Sequence, residues 1–350
     1  MLETVAALKI IIITTFSFAL AMAWTPLLLK ILYKYKLGKS IRDAKSAPIM
    51  AKLHAKKAGT PTMGGVLIWG SVLAIAVLFL LAQEFLPNSY LASLNFITRS
   101  QTLLPFGAFI ASALVGLIDD YFNVKKIGPH GGGMRTRYRL LLYAVIAAVG
   151  AWWFYYKLGW DTFHVPFIGD VMLGWWYVPV FIAVIVGTSF SVNQTDGLDG
   201  LAGGTLLTSF GAFAAIAFLQ GRFDLAALSG AIIGALLAFL WFNINPAKFF
   251  MGDTGAMSLG VTLGIMAMFT NQPLLLPIIG IIFVIEAVST IIQLASKKIR
   301  KKKVFLSSPI HHHLEASGWA EQTIVMRFWV LSIIAGGLGL ILALLDMART

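Results

Sequence analysis

Ser191-Val192-Asn193-Gln194-Thr195-Asp196-Gly197-Leu198-Asp199-Gly200 sets two carboxylates, two side-chain amides and two glycines between apolar runs at 177–190 and 201–219. Each run can sit in hydrocarbon, where a spanning helix needs about 20 such residues. Charge inside a bilayer is expensive, so the polar decapeptide belongs at a membrane–water boundary.

The rest of the chain agrees. Of 350 residues, 58% are hydrophobic and 12% charged, with a mean hydropathy of +0.83; soluble domains are about 45–50% apolar and about 25% charged. The expected fold is all-α: a polytopic integral membrane protein whose residues 1–350 form a single membrane-embedded domain. Cysteine is absent, which excludes disulfides and thiolate chemistry and leaves any metal to oxygen or imidazole ligands. The net charge of +12 has no soluble basic domain behind it, so it points to topology and anionic membrane lipids and not to nucleic acid.

Ten spans are expected, at about 5–29, 63–83, 103–118, 138–156, 175–191, 201–219, 225–243, 255–270, 273–296 and 324–346. The first is too long for a removable signal peptide and lacks its small-residue cleavage site. Of 27 Lys and Arg, 21 fall in odd-numbered loops: nine over Lys30–Lys57, five over Lys125–Arg139, Lys248, and six over Lys297–Lys303. The positive-inside rule then puts those loops in the cytoplasm and both termini outside. Asp119-Asp120, Asn193–Asp199, Asn243–Asp253 and His311–Glu315 all fall on the same cytoplasmic face.

Asp119 and Asp120 end the third span, where the helix dipole is negative and a carboxylate needs a compensating cation. Either Lys125 and Lys126 supply it in an interfacial pairing, or the two acids serve a Mg²⁺ or proton-transfer site. Neighbours on a helix diverge by about 100°, so one of the two is expected to face the chemistry. Asn193, Asp196 and Asp199 would share one side of a helix, but Gly197 and Gly200 favour a turn in which Asp199 caps the next span. Asp253-Thr254 opens the eighth span, either as a side-chain cap or as a carboxylate at a helix N-terminus that brings a metal to a phosphate.

The basic, glycine-rich stretches at 56–65 and 131–139 read as phosphate cradles or as flexible positive loops, and neither carries a Walker pattern. His311-His312-His313 cannot all face one ligand and lack a zincin motif, so one or two imidazoles against a phosphate or leaving group fit better. Glu286, in the ninth span, is either functional or hydrogen-bonded to a neighbouring helix. Oxygen ligands gathered on one face suit Mg²⁺ acting on a phosphorylated substrate.

Together, Ala58-Gly-Thr-Pro-Thr-Met-Gly-Gly65, Asp119-Asp-Tyr121, Asn193-x-Thr-Asp-Gly-Leu-Asp-Gly-Leu-Ala202, Asn243-x-x-Pro-Ala247, Phe250-Met-Gly-Asp-Thr-Gly255 and Pro309-Ile-His-His-His-Leu-Glu315 resemble the phospho-N-acetylmuramoyl-pentapeptide transferase family. The likeness covers about residues 40–340, with the motifs in order. It implies a ten-helix, typically dimeric enzyme of the bacterial inner membrane with a cytoplasmic active site. Such an enzyme uses Mg²⁺ to move phospho-MurNAc-pentapeptide from UDP-MurNAc-pentapeptide to undecaprenyl phosphate. The products are lipid I and UMP, in the first membrane step of peptidoglycan synthesis.

The same resemblance implies that Asp253, with Asp196, holds Mg²⁺ and that Asp119, Asp120 and Asp196 form the catalytic acidic cluster. It places Lys57, Thr62, Asn193, Asp199, Asn243, Phe250, His311, His312 and His313 in the substrate site. Three residues depart from the family pattern: Gln194 replaces a usual leucine, Ala256 a usual serine, and Arg139 a lysine near the phosphates. Arg and Lys present different donor geometry, so only the last bears on the site. The rivals are a sibling UDP-N-acetylhexosamine transferase, separated by the loop at 309–315, and a ten-helix transporter or flippase. Transporters gather polar groups at the midplane, and this chain gathers them at helix ends.

Overall fold

The computed structural model describes residues 2–38, 57, 59–128 and 132–349. Most of the first basic loop, with Ala58 and Gly131 of the stretches quoted above, lies outside those residues.

The long apolar runs form helices α1 (Leu2–Lys34), α2 (Gly65–Phe85), α3 (Leu103–Val124), α4 (Thr136–Trp152), α5 (Tyr177–Thr195), α6 (Leu201–Leu219), α7 (Phe223–Asn243), α8 (Gly252–Phe269), α9 (Ile281–Ile299), α10 (Ile310–Ala316) and α11 (Glu321–Met347). Eight are long and apolar enough to cross a membrane, and a ninth span results if Pro273–Ile279 and α9 are counted as one. That pair, expected as a straight span at 273–296, bends by 84° at Gly280, which ends the short helix Leu276–Ile279, precedes α9 and supplies the turn.

The remaining expected span, 255–270, is α8. It falls outside those apolar spans because Asp253, Thr254, Ser258, Thr262 and four glycines dilute its hydropathy. Burial explains why it can afford them: every α8 residue except Asp253 is buried, so α8 faces protein and not lipid. It packs on α3 and α5. A Cβ on Gly116 of α3 would come within 2.5 Å of the Asp253 carbonyl oxygen, and one on Gly260 within 2.6 Å of the Ser189 Cα. Small residues at these crossings let the backbones approach, as membrane helix packing requires.

The all-α expectation needs one correction. Thr162–Val165 and Gly169–Met172 pair as an antiparallel hairpin around a Pro166-Phe167-Ile168 turn, and the whole segment, with Thr162, His164 and Asp170, is too short and polar to have been counted as a span. His164 pins it: Nδ1 lies 2.7 Å from Asp170 Oδ1 and Nε2 2.6 Å from Asp346 Oδ2 on α11. Asp346 Oδ1 also accepts the Phe167 N–H at 2.6 Å. Burial works against the charged ring, but the hydrogen bonds and charges of Asp170 and Asp346 outweigh it and raise His164 above its ordinary value of 6.5.

Candidate active site

At the opposite end of the bundle from this hairpin, the C-termini of α3, α5 and α7 meet the N-termini of α4, α6, α8 and α11. The N-terminus of α8 is the centre of the arrangement. Of the two readings of Asp253-Thr254, the side-chain cap is not realised: no side chain of this helix start caps it. Gly252 (φ 73°) turns the chain in a left-handed conformation that residues with a Cβ avoid. The first three N–H groups then point outward, as at any helix start. Asp196 Oδ2 accepts the Gly252 N–H at 3.2 Å, and Asp120 accepts those of Asp253 and Thr254 at 3.1 and 3.0 Å. Asp120 therefore caps α8 from another helix, and the expected divergence of the two adjacent acids is realised.

Asp119, one position earlier on α3, faces the other way. It accepts the Met134 N–H and, at 3.2 Å, Arg139 Nη1 of α4. The same Nη1 donates to Asp253 Oδ2, and Asn193 Nδ2 donates to Asp253 Oδ1 at 2.8 Å. The cation that the C-terminus of α3 calls for is thus Arg139, and not Lys125 or Lys126. Asp119 and Asp253 also interact directly, so two acids share one guanidinium. Thr62 Oγ1, buried and without a hydrogen-bond partner, borders the same place: a Cβ on Gly252 would meet it at 2.7 Å and Asp120 Oδ2 at 2.4 Å.

A second cluster adjoins the first. Asp196 is the C-terminal cap residue of α5, so Asn193, Asp196 and Asp199 do not continue one helix. Asp199 does not cap α6, which begins after Gly200 (φ 83°). Its carboxylate instead takes Lys57 Nζ at 2.7 Å, Asn245 Nδ2 at 3.0 Å and the Ala247 N–H at 3.2 Å. Lys57 Nζ stands 6.0 Å from the centre of the Phe250 ring, within cation–π range. Asn243 is bound to backbone at both ends of its amide, accepting the Gly200 N–H and donating to the Phe249 carbonyl at 2.9 and 2.8 Å. It ties the α6 turn to the irregular segment leading into α8.

The three histidines have separate partners. His311 Nδ1 lies 2.8 Å from Glu286 Oε2, His312 Nδ1 2.8 Å from Glu315 Oε2, and His313 Nδ1 accepts the Leu306 N–H at 3.2 Å. His311 and Glu286 are both wholly buried. Gly197 admits the His311 ring, because a Cβ there would stand 2.2 Å from Nε2, and this packing brings α10 against the decapeptide turn.

Glu321, in the first turn of α11, was not foreseen. Its Oε1 accepts Lys57 Nζ and, at 2.8 Å, the Asp199 N–H. An acid in the first turn of a helix is ordinary, and nothing near it in sequence signals a partner 264 positions away. For Glu286 the expected alternative of a hydrogen bond to a neighbouring helix is what the structure shows, and the partner is His311 of α10, 25 positions away.

Among the described residues no three of His, Cys, Asp and Glu are arranged as a ready metal site. The donor chemistry nonetheless fits a hard cation: Asp119, Asp196 and Asp253 offer carboxylate oxygens, and Asp119 and Asp253 already converge on a positive group.

Residues 102–271 of this polytopic helical chain, which hold all four aspartates of the acidic junction, match the model of Glycosyl transferase family 4, a class of transferases. Residues 57–68, with Lys57 and Thr62, match phospho-N-acetylmuramoyl-pentapeptide-transferase signature 1. A phospho-N-acetylmuramoyl-pentapeptide-transferase of Geobacillus sp. is 40% identical over 342 residues, 97% of this chain and 98% of that protein. Those of Shouchella clausii and Chloroflexus aggregans are 41% and 39% identical, covering 92% and 89% of this chain and 94% and 83% of theirs. The chain belongs to the phospho-N-acetylmuramoyl-pentapeptide transferase family.

Proposed function

We propose that this chain transfers phospho-MurNAc-pentapeptide from UDP-MurNAc-pentapeptide to undecaprenyl phosphate, releasing UMP and forming lipid I on the cytoplasmic side of a bacterial inner membrane. In this reading the chain forms ten membrane-crossing segments in one domain, has both termini outside, and works as a homodimer. The observation that carries the reading is the junction at the α8 N-terminus, where Asp119, Asp120, Asp196 and Asp253 meet Arg139 in a chain of this family. The helix-end position of these groups also favours an enzyme over a transporter, which would gather them at the midplane.

Chemically, an oxygen of the lipid phosphate attacks the sugar-bound phosphorus, that phosphorus parts from the oxygen of UMP, and UMP leaves. A phosphomonoester's second pKa is about 6, so near neutral pH the attacking group is largely dianionic already. The protein's task is positioning and charge neutralisation. Asp253, with Asp196, would hold Mg²⁺, which when bound neutralises charge on phosphate oxygens. Arg139 offers a guanidinium beside them, Asp119 and Asn193 hold Arg139 and Asp253 in place, and Asp120 fixes the helix that carries Asp253. Lys57, Phe250, Asp199 and Thr62 line the donor's side of the junction, with Asn243 holding the turn. His311 and His312, braced by Glu286 and Glu315, and His313, bonded to the Leu306 N–H, would meet the leaving nucleotide or sugar.

The test is UMP release by the detergent-solubilised protein given undecaprenyl phosphate and Mg²⁺. UDP-MurNAc-pentapeptide should be turned over and UDP-N-acetylglucosamine should not. The opposite preference would transfer the chain to the sibling activity, and substrate-driven flux without UMP would indicate a transporter.

A further inference from the structure

Lys57 is held by two carboxylates far apart in the chain, Asp199 in the α5–α6 turn and Glu321 at the start of α11. One oxygen, Glu321 Oε1, receives both the Lys57 ammonium and the Asp199 N–H. Its other oxygen, Oε2, accepts Asn245 Nδ2 at 3.3 Å, and the same amide donates to Asp199 Oδ2. Gln322 Nε2 then donates to Asn245 Oδ1 at 2.7 Å. Glu321 thus touches every member of this cluster while lying outside the acidic junction itself.

Two features make it a bracket and not a passing ion pair. The positive end of the α11 dipole favours a carboxylate in the first turn. Two turns further on, Trp329 Nε1 donates to the Gly200 carbonyl at 3.1 Å, and the indole fills the space over Gly204, where a Cβ would lie 2.1 Å from its atoms. α11 is therefore locked to the start of α6, and Glu321 is delivered to Lys57 and Asp199 by a rigid element.

We propose that Glu321 is a positioning residue for donor binding: it sets the Lys57 ammonium over Phe250 and orients the Asp199 turn, so that the sugar nucleotide meets a preformed pocket. This rests on the assignment of Lys57 and Asp199 to the donor side. Lys57 has three donors and two of them are taken by carboxylates. Removing the Glu321 charge leaves the ammonium free to follow Asp199 alone and costs affinity for the donor without touching the phosphoryl transfer.

Three variants, Glu321→Gln, Glu321→Asp and Lys57→Ala, would be compared by steady-state UMP release with UDP-MurNAc-pentapeptide varied, and by melting in detergent. Lost ground-state binding raises KM and leaves kcat alone. Glu321→Gln should raise KM for the nucleotide sugar by about tenfold, since a charged partner in a half-buried pair is worth at least that in binding, with kcat within about threefold and melting near wild type. Glu321→Asp, which keeps the charge on a shorter arm, should recover part of the loss. Lys57→Ala should raise KM at least as much, and the double variant Lys57→Ala with Glu321→Gln should add little, because the two share one interaction. A normal KM in Glu321→Gln beside a raised one in Lys57→Ala overturns the positioning role alone. A normal KM in Lys57→Ala overturns the donor-site assignment and this inference with it. A fall in kcat with KM unchanged in Glu321→Gln also overturns the inference, because it would place Glu321 in the chemical step.

Discussion

If Asp120 caps α8, replacing it with alanine should damage stability, whereas the same change at Asp119 should not. Asp120 is buried and its two oxygens accept successive N–H groups at 3.1 and 3.0 Å. Loss of a helix cap costs about 1 kcal/mol, and a hydrogen bond to a charged acceptor contributes a net of about 1.5–3 kcal/mol. Among the described residues no other side chain accepts those two N–H groups, so Asp120→Ala should cost about 2–3 kcal/mol in all. At roughly 2–4 °C per kcal/mol for a chain of this order of size, melting in detergent should fall by about 5–10 °C. Asp120→Asn, with one amide oxygen left to accept, should fall about half as far. Asp119→Ala relieves the crowding of two acids on Arg139 and should melt near wild type although turnover is lost. The assay is intrinsic tryptophan fluorescence on heating, paired with UMP release. An Asp120→Ala protein that melts like wild type would refute the capping argument and return Asp120 to the reaction itself.

Because Asp253 does not cap the helix that bears it, Asp253→Asn should abolish UMP release with little change in melting; a destabilised but active variant would reject its assignment to Mg²⁺. Asp119→Asn should lose about 100-fold or more in rate, as electrostatic partners do, by a factor constant from about pH 6 to about pH 9, since the lipid phosphate loses its own proton near about 6; recovery at alkaline pH, read in the same assay, would make Asp119 a base. His164, raised above 6.5 by its two aspartates, contributes stability that is complete below the ordinary histidine value and is lost as pH rises through the raised one; the melting gap between wild type and His164→Ala should therefore narrow toward alkaline pH, and a widening gap would reverse the sign. A cysteine introduced at Ser317 should react only with reagent on the cytoplasmic side and one at Asn88 only from outside, and reversed labelling would undo the proposed orientation.

Length and apolarity made the helices legible in the sequence, because a membrane leaves few other ways to satisfy a backbone. They also marked which helix ends would carry the site, since charge in so greasy a chain stands out. α8 was harder to read: its glycines and hydroxyls look like weakness in a span, and only its burial among α3 and α5 explains them. The Gly280 bend and the His164 hairpin turn on single residues that no periodicity announces. Within the site, residue types were readable and roles were not. Asp119 and Asp120 are adjacent and chemically identical, and the structure separates them only by which neighbouring helix each one faces. Glu321 stayed hidden for a different reason: its meaning lies wholly in a partner far along the chain.

The link between Lys57 and Glu321 has a bearing on biogenesis. The two residues are separated by 264 positions, and α11 is the last long helix. At about 5–20 residues per second, roughly 13 to 50 seconds of synthesis separate the emergence of one from the other. The acidic junction around α8 can assemble while the chain is still being made, but the Lys57 pocket cannot close until the final helix has inserted. A nascent or truncated chain would therefore hold the acidic junction without the Glu321 bracket on Lys57.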